Sequence, residues 1–242
     1  MHENGQLLAR ILRALCERVR AGATTLEFDE LAERMIRDLG AEPSFKGYMG
    51  YPATINASIN EEVVHGIPSA ERKLREGDLF SIDIGLVRNG FHADMAVTVP
   101  VGEVDEAAMR LLEVGKRSLW EGIRQVRIGN RLSDISHAIG SYAEAAGFYV
   151  VKEYVGHGIG KALHEDPQVP NYGPPGEGVR LRPGMALAIE PMLKVDPQPT
   201  RVLDDRWTVV TGSGGLAVHF EHTVVLNDEE AIVVTQGGDD KA

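Results

Sequence analysis

Two carboxylates lie close together on an otherwise apolar hairpin, and they are the first candidates for chemistry. The hairpin turns at Asn89-Gly90, a pair that suits a type I′ turn because both central positions need positive φ. This turn pairs Asp83 with Ala96, which makes Asp83 and Asp94 diagonal neighbours on one face, about 7–8 Å apart at Cα. Two buried carboxylates repel each other, and one takes up a proton unless a cation lies between them. The hairpin alone leaves a metal site and a structural role equally open.

The same arrangement recurs in the second half of the chain. The two copies read LREGDLFSID over residues 74–83 and LRPGMALAIE over residues 181–190. Further on, FHADMAVTV and VHFEHTVVL match Asp94 with Glu221, and His92 with His219. Two helical segments precede the strands in each half, which indicates a duplicated helix-helix-strand-strand unit. Chance similarity between short apolar strands is the alternative, and the matching positions of the acids favour duplication.

Pseudo-twofold packing of the two units would bring four acids together, namely Asp83, Asp94, Glu190 and Glu221. Their four negative charges balance two divalent cations, and uncompensated buried charge costs several kcal/mol per ion. Two metal ions about 3.5–4 Å apart form a good hydrolytic centre. His157, which lies between glycines in GHGIGKALHEDP, is the best candidate for an added imidazole ligand.

Four helices and a series of strands must position these residues. Apolar periodicity and capping signals predict helices over residues 6–20, from the Thr24–Glu27 capping box to Gly40, from Asp105 to about residue 126, and from Arg131 to Gly147. Besides the hairpin, strands are predicted over residues 53–59, 207–210, 218–226 and 231–234, with a β-rich run over 148–155 and a strand with its approach over 181–190. The Gly- and aromatic-rich segment 44–52 is either a cavity wall or an ordinary tight loop.

The composition is that of an ordinary globular protein. The 242 residues are 43% hydrophobic and 25% charged, with a net charge of −11, which does not favour a nucleic-acid or anionic-membrane partner. Cys16 is the only cysteine, so an internal disulfide and a CxxC zinc module are excluded. The N-terminal segment has no signal-peptide core, and no apolar run approaches the roughly 20 residues of a membrane span. A cytoplasmic protein is expected.

No low-complexity linker divides the chain. A single catalytic domain over residues 1–242 is therefore expected, with pseudo-repeats over about 6–104 and 105–234. The C-terminal residues 236–242 are expected to form a flexible tail.

The motifs taken together resemble those of type I methionine aminopeptidases. In chain order they read VVHGIP, IDIG, HAD, GHGIG, LHEDP, IEPM and FEHT, and the similarity extends from about residue 21 to residue 234. The resemblance implies the pita-bread fold, a pseudo-twofold α/β (α+β) architecture whose antiparallel sheet is covered by helices. It also implies removal of the initiator methionine from nascent proteins whose second residue is small. The bacterial group without an N-terminal zinc-binding extension is expected.

The resemblance assigns roles to individual residues. Metal-ligand roles fall on Asp83, Asp94, His157, Glu190 and Glu221, with Asp94 and Glu221 bridging two divalent ions. Glu190 would also be the general base, and His65 and His164 would stabilise the tetrahedral intermediate and the scissile nitrogen. Substrate-binding roles fall on His65, His164, Tyr48, Tyr51, Asn56, Leu163 and Trp207. Relatives often have Phe at the position of Leu163, and many bacterial ones have Cys at the position of Asn56, which leaves the fine shape of the pocket open.

The metal, the partners and two rival functions complete these expectations. Carboxylate and imidazole ligands suit Mn, Fe, Co and Zn alike. The expected partners are the N-termini of nascent polypeptides, and the resemblance to the family adds the ribosome. The protein is expected to be a monomer that binds neither nucleic acid directly nor membranes. One rival is an Xaa-Pro peptidase of the same fold, whose relatives carry a sizeable extra N-terminal domain. The other is a non-catalytic binding protein of this fold. It is disfavoured because all five ligand positions carry residues that can bind a metal.

Overall fold

Four α-helices are present in residues 1–237, the part of the chain that this computed structural model describes. They are α1 (His2–Cys16), α2 (Thr25–Asp38), α3 (Glu106–Ile123) and α4 (Leu132–Ala145), and a 3₁₀ turn spans Tyr48–Gly50. None of the helices in this part of the chain is long and apolar enough to cross a membrane. The predicted tail lies, from residue 238 onward, outside the described residues.

Capping signals located the helix starts better than apolar periodicity did. The predicted capping box of α2 is present, and the Asp105 carboxylate accepts a hydrogen bond from the Ala108 N–H at the start of α3. The prediction for α1 was wrong by four residues at both ends. The Asn4 side chain donates to the carbonyls of Arg88 and Phe91, at 2.9 and 2.8 Å, and this tertiary contact anchors a first turn that the apolar stripe did not include.

The strands are mostly short. In chain order they are β1 (Glu42–Pro43), β2 (Ile55–Ile59), β3 (Glu62–Val64), β4 (Leu79–Arg88), β5 (Phe91–Pro100), β6 (Tyr149–Val150), β7 (Gly156–Gly158), β8 (Glu165–Val169), β9 (Ala186–Ile189), β10 (Met192–Lys194), β11 (Thr200–Val202), β12 (Val209–Thr211), β13 (Ala217–His219), β14 (Glu221–Leu226) and β15 (Ala231–Val233).

Several predicted strands are shorter or differently placed than expected. The segment 218–226 is divided into β13 and β14 at Phe220, whose N–H donates to the Pro191 carbonyl at 3.2 Å instead of continuing a ladder. Only residues 186–189 of the segment 181–190 are extended, because Pro183 and Gly184 form a turn in which Gly184 has φ +89°. The segment 148–155 contributes only β6, and the strand expected at 207–210 begins two residues later as β12.

The central hairpin has the predicted register. Asn89 and Gly90 both have positive φ, at 53° and 75°, and Asp83 pairs with Ala96 as the type I′ turn requires. β4 and β5 belong to a nine-stranded sheet in the order β1-β4-β5-β14-β9-β7-β8, with β2 also paired to β4 and β15 to β14. The two halves of the chain therefore meet in the middle of this sheet, where β5 pairs antiparallel with β14.

Each half of the sheet is covered by its own pair of helices. In one core, Leu8 and Ile36 from α1 and α2 pack with β4 residues such as Ile82. In the other, Leu111 from α3 and its α4 neighbours pack with β9 and β14. Helices thus support the sheet from both halves of the chain, and the predicted antiparallel sheet covered by helices is confirmed.

Candidate metal centre and active site

The four acids predicted as ligands lie on or directly after four adjacent strands, β4, β5, β14 and β9. Ala96 on β5 pairs with Asp83 on one side and with Glu221 on the other, so these two acids flank its small side chain. Glu190 directly follows β9, whose register on β14 places it beside Glu221. Asp94 lies two residues from Ala96, and side chains two residues apart share a face. Strand register alone therefore gathers the four carboxylates on one face.

His157 joins these acids from β7. It pairs with Ala188 of β9 and therefore faces the same side as Glu190. Its Nε2 atom lies 3.5 Å from Glu190 Oε1. Ligand atoms of Asp94, His157 and Glu221 all lie within 4.8 Å of one another. The structure thus brings the five residues predicted as ligands into one place.

The acid cluster is buried, and its members repel one another. Asp83, Asp94 and Glu221 are 8%, 3% and 2% exposed. Burial raises the pKa of Asp83 to about 6 and that of Glu190 to about 7. Burial and the neighbouring carboxylates raise the pKa of Asp94 and of Glu221 well above the usual range. Such a cluster binds either protons or cations.

The residues present fit divalent metal ions. Asp83 Oδ1, Asp94 Oδ1 and Glu221 Oε1 are buried without a hydrogen-bond partner, as free metal-ligand atoms would be. His157 Nδ1 lies 2.8 Å from the Gly158 carbonyl, which places the proton on Nδ1 and leaves the Nε2 lone pair for a metal. The Asn56 amide donates to Asp83 Oδ2 and orients that carboxylate.

A pH effect on the metal-free protein follows from the acid cluster. A carboxyl group whose pKa is raised by folding stabilises the protein below its unfolded pKa of about 4, and this contribution is lost as the pH rises through the folded pKa. For Asp83 and Glu190 the folded pKa values are about 6 and about 7. We therefore expect Asp94→Asn, which removes one repelling charge, to have a higher free energy of unfolding than wild type at pH 8 when both are metal-free.

Burial lowers the pKa of some histidines, for example to about 4 for His65, and this changes the free energy of unfolding with pH in the opposite direction. Both proteins carry these histidines, so their contribution cancels when the two free energies of unfolding are compared. The advantage of the variant should shrink toward pH 4, where the Asp94 carboxyl is protonated in the folded state and about half protonated in the unfolded state. Urea unfolding of the metal-free proteins between pH 4 and 8 measures it. An advantage that stays constant over this range would show that Asp94 does not carry the proposed repulsion.

A cavity of about 210 Å³ opens onto the cluster. Its lining includes all the residues predicted to bind substrate: Tyr48, Tyr51, Asn56, His65, Leu163, His164 and Trp207. The Trp207 ring meets Tyr51 edge-on at 5.0 Å between centroids and lies 6.2 Å from His65. Trp207 belongs to the long stretch between Glu190 and Glu221. It reaches the cavity because the following strand, β12, pairs with β3, which ends just before His65.

His164 lies at the rim of the cavity and is held there by two neighbours. Its Nδ1 atom is 2.8 Å from the Tyr48 hydroxyl, and its ring centroid is 4.3 Å from that of His157. When the Tyr48 hydroxyl donates to Nδ1, the proton of the neutral ring is on Nε2. His164 can then donate a hydrogen bond from Nε2.

Further residues line the cavity that sequence reasoning did not assign to it by name. They are Phe45, Met49, Val64, Tyr154, Val155, Met192 and His219. His219 is the chemically important one, because its Nε2 lies 3.4 Å from Glu190 Oε2. Its position two residues before Glu221, like that of His92 before Asp94, was the available signal. Alternation of side chains along a strand puts such residues on one face.

Comparison with known families decides between the possible interpretations of this site. The sequence matches the model of metallopeptidase family M24 over residues 1–228. The chain belongs to metallopeptidase family M24. A metallopeptidase requires a catalytic metal centre, and the buried acid cluster is the candidate for it in this chain.

Relatives of this M24 peptidase are bacterial methionine aminopeptidases. Methionine aminopeptidase 1 of Bacillus subtilis is 49% identical over 236 residues, which cover 98% of this chain and 95% of the relative. Methionine aminopeptidase 1 of Mycobacterium tuberculosis is 48% identical over 239 residues, which cover 96% of this chain and 90% of the relative. The predicted resemblance is confirmed, and with it the prediction of a metallo-aminopeptidase.

Solved structures show the same fold for this M24 peptidase. Methionine aminopeptidase from Thermotoga maritima has a TM-score of 0.96 and 43% identity, covering 98% of this chain and 95% of that one. The prolidase from Pyrococcus horikoshii OT3 has a TM-score of 0.78 at 20% identity, covering 99% of this chain and 61% of that one. At this low identity the match shows a similar fold and nothing more. The predicted pita-bread fold is confirmed.

Proposed function

We propose that this peptidase removes the N-terminal methionine from nascent proteins whose second residue is small, using two divalent metal ions. The observation that carries the proposal is the buried cluster of four carboxylates and His157 at the end of a small, aromatic-walled cavity. The relatives that bear the name methionine aminopeptidase support it.

Asp83, Asp94, His157, Glu190 and Glu221 would hold the ions, with Asp94 and Glu221 as bridges. Four carboxylates match the charge of two divalent cations, and this balance removes the cost of burying the acids. Bound there, Mn, Fe, Co or Zn supplies a water of lowered pKa and polarises a carbonyl group.

Glu190 would act as the general base. It is a carboxylate beside the metal ligands His157 and Glu221, and it is the least buried acid of the cluster. Glu190 takes a proton from the water that attacks the scissile carbonyl carbon. It then delivers this proton to the amine nitrogen as the C–N bond breaks.

His65 and His164 would stabilise the reacting peptide group. Burial lowers the pKa of His65 to about 4, so this ring is neutral at pH 7 and can still donate one hydrogen bond. Donation from His65 and from Nε2 of His164 would stabilise the charge that develops on the tetrahedral intermediate and the scissile nitrogen.

The cavity suits one unbranched apolar side chain. Tyr51 and Leu163 are 4% and 2% exposed and form its wall together with Trp207. A flexible thioether makes favourable contacts with aromatic rings, so methionine fits such a wall well. Asn56 contributes a polar side chain near Asp83.

The specificity of this site can be tested with short peptides. We expect release of methionine from Met-Ala and Met-Gly peptides, and little release from peptides with a bulky second residue. Chromatography of the products of the metal-loaded enzyme measures both. Faster cleavage of Ala-Pro than of Met-Ala would assign the enzyme to the Xaa-Pro peptidases instead.

The same proposal extends to the cellular setting. The N-termini of nascent chains are the substrates, so the enzyme would work in the cytoplasm, as a monomer and near the ribosome. Residues 1–242 would form one catalytic domain, built from pseudo-repeats over about 6–104 and 105–234.

A further inference from the structure

His219 presents a buried nitrogen atom to the acid cluster. Its side chain is 2% exposed, and its Nε2 atom has no hydrogen-bond partner. Nearly all buried polar atoms in proteins are paired, so an unpaired one aimed at a metal centre calls for an explanation. Metal coordination would supply the missing partner.

The distances fit coordination better than a hydrogen bond. His219 Nε2 lies 3.4 Å from Glu190 Oε2, which is longer than the 2.7–3.2 Å of ordinary N–H···O bonds. Two ligand atoms that each lie about 2.0–2.2 Å from a shared ion are about 3–3.5 Å apart at usual coordination angles. His157 Nε2, a predicted ligand, lies at nearly the same distance, 3.5 Å, from the other oxygen of Glu190.

A third ligand completes the set. Ligand atoms of Glu190, His219 and Glu221 lie within 4.8 Å of one another, as do those of Asp94, His157 and Glu221. The two groups share only Glu221, one of the proposed bridges. Two cation positions are thus outlined, each with its own imidazole.

The backbone of His219 is fixed by the hairpin of the other half. Its N–H donates to Thr98 Oγ1 at 2.8 Å, and its carbonyl accepts from the same hydroxyl at 3.0 Å. Thr98 is in turn hydrogen-bonded to Ser81, two residues before Asp83. The backbone that carries the ring is therefore held in place relative to the acids by β4 and β5, as a preorganised ligand requires.

We propose that His219 is a sixth protein ligand, which binds through Nε2 the ion held by Glu190 and Glu221. This inference rests on the proposed two-metal function. A second imidazole makes the ligand set richer in nitrogen and should favour Fe, Co or Zn over Mn.

The number of coordinated imidazoles can be counted in the cobalt-loaded enzyme. Each histidine bound to paramagnetic Co(II) gives one strongly shifted, solvent-exchangeable imidazole N–H signal in proton NMR. We expect two such signals in wild type and one in His219→Gln. His92→Gln is the matched control, because His92 is the counterpart in the first half, where it is hydrogen-bonded to Ser44. This control should keep both signals.

Cobalt affinity provides a second measurement. Removing an outer-sphere partner of a ligand costs about 10–100-fold in affinity, so His219→Gln should weaken one of the two sites by more than this. A single shifted signal in wild type, or two in His219→Gln, would overturn the assignment of His219 and leave the five-ligand centre intact. Absence of cobalt binding by wild type would instead contradict the proposed function itself. The wild-type count stands even if the variant does not fold.

Discussion

Replacing Asp94 with asparagine is expected to lower kcat/KM for a Met-Ala peptide by at least about 100-fold. Replacing a residue that only hydrogen-bonds to a metal ligand costs up to about 100-fold in activity. Asp94 would itself bind both ions, so its replacement should cost at least as much. The neutral amide would remove one of the four charges that balance the metals. The fold should persist, because the backbone of Asp94 stays bonded to Thr223 and the sheet does not depend on the charge.

Asp228→Asn is a suitable control for this variant. Asp228 is exposed in the turn that follows β14. Its replacement by asparagine also removes one negative charge, but at the protein surface and not in the buried cluster. The control should keep wild-type activity and metal content. Full activity in Asp94→Asn, with circular dichroism unchanged, would exclude Asp94 from the metal centre.

Replacing Glu190 with glutamine is expected to lower kcat by at least about 100-fold, the lower end for general acid–base groups. Glutamine keeps the shape and one oxygen ligand but cannot accept a proton. Affinity for the substrate should change little, since Glu190 lies beside His157, a proposed metal ligand, and not on the aromatic wall. Steady-state kinetics at saturating metal separates the two parameters.

Metal analysis must accompany that measurement, because Glu190 is also a proposed ligand. The prediction concerns the variant when it carries the same metal content as wild type. Glu230→Gln, exposed near β15, is the matched control and should behave as wild type. An unchanged kcat with a raised KM would make Glu190 a binding residue only.

Local rules were sufficient for the parts of the site that lie on the central hairpin. The Asn89-Gly90 turn fixes the register, and the register places Asp83 and Asp94 on one face. The match between the two halves then extended this to Glu190 and Glu221. The first inference succeeded because strand alternation and turn geometry act over a few residues, whereas the second rested on a match between distant segments.

Parts of the fold that depend on distant contacts were not predictable in the same way. β11, β12 and β3 have only three residues each, and β12 pairs with β3 across more than a hundred residues of chain, so no local periodicity marks them. The break at Phe220 depends on a hydrogen bond to Pro191, and the start of α1 depends on Asn4 reaching the hairpin. Short-range patterns carry no information about such contacts.

His219 shows the same limit at the level of a side chain. It matches His92 in the sequence, yet His92 is hydrogen-bonded to Ser44 while His219 faces Glu190. The difference arises because the second half divides into β13 and β14 where the first half has the continuous β5. Matching positions in the two halves of the chain can therefore carry different chemistry.

The measurement that tests the two-metal aminopeptidase most directly is titration of the metal-stripped enzyme with each of Mn, Fe, Co and Zn. Methionine release from Met-Ala is followed while bound metal is counted. The buried carboxylates predict an inactive stripped protein and activity that rises with binding, together with occupancy of two ions per chain by at least one metal. Undiminished methionine release by the stripped protein, or no release with any of the four metals bound, would contradict the account.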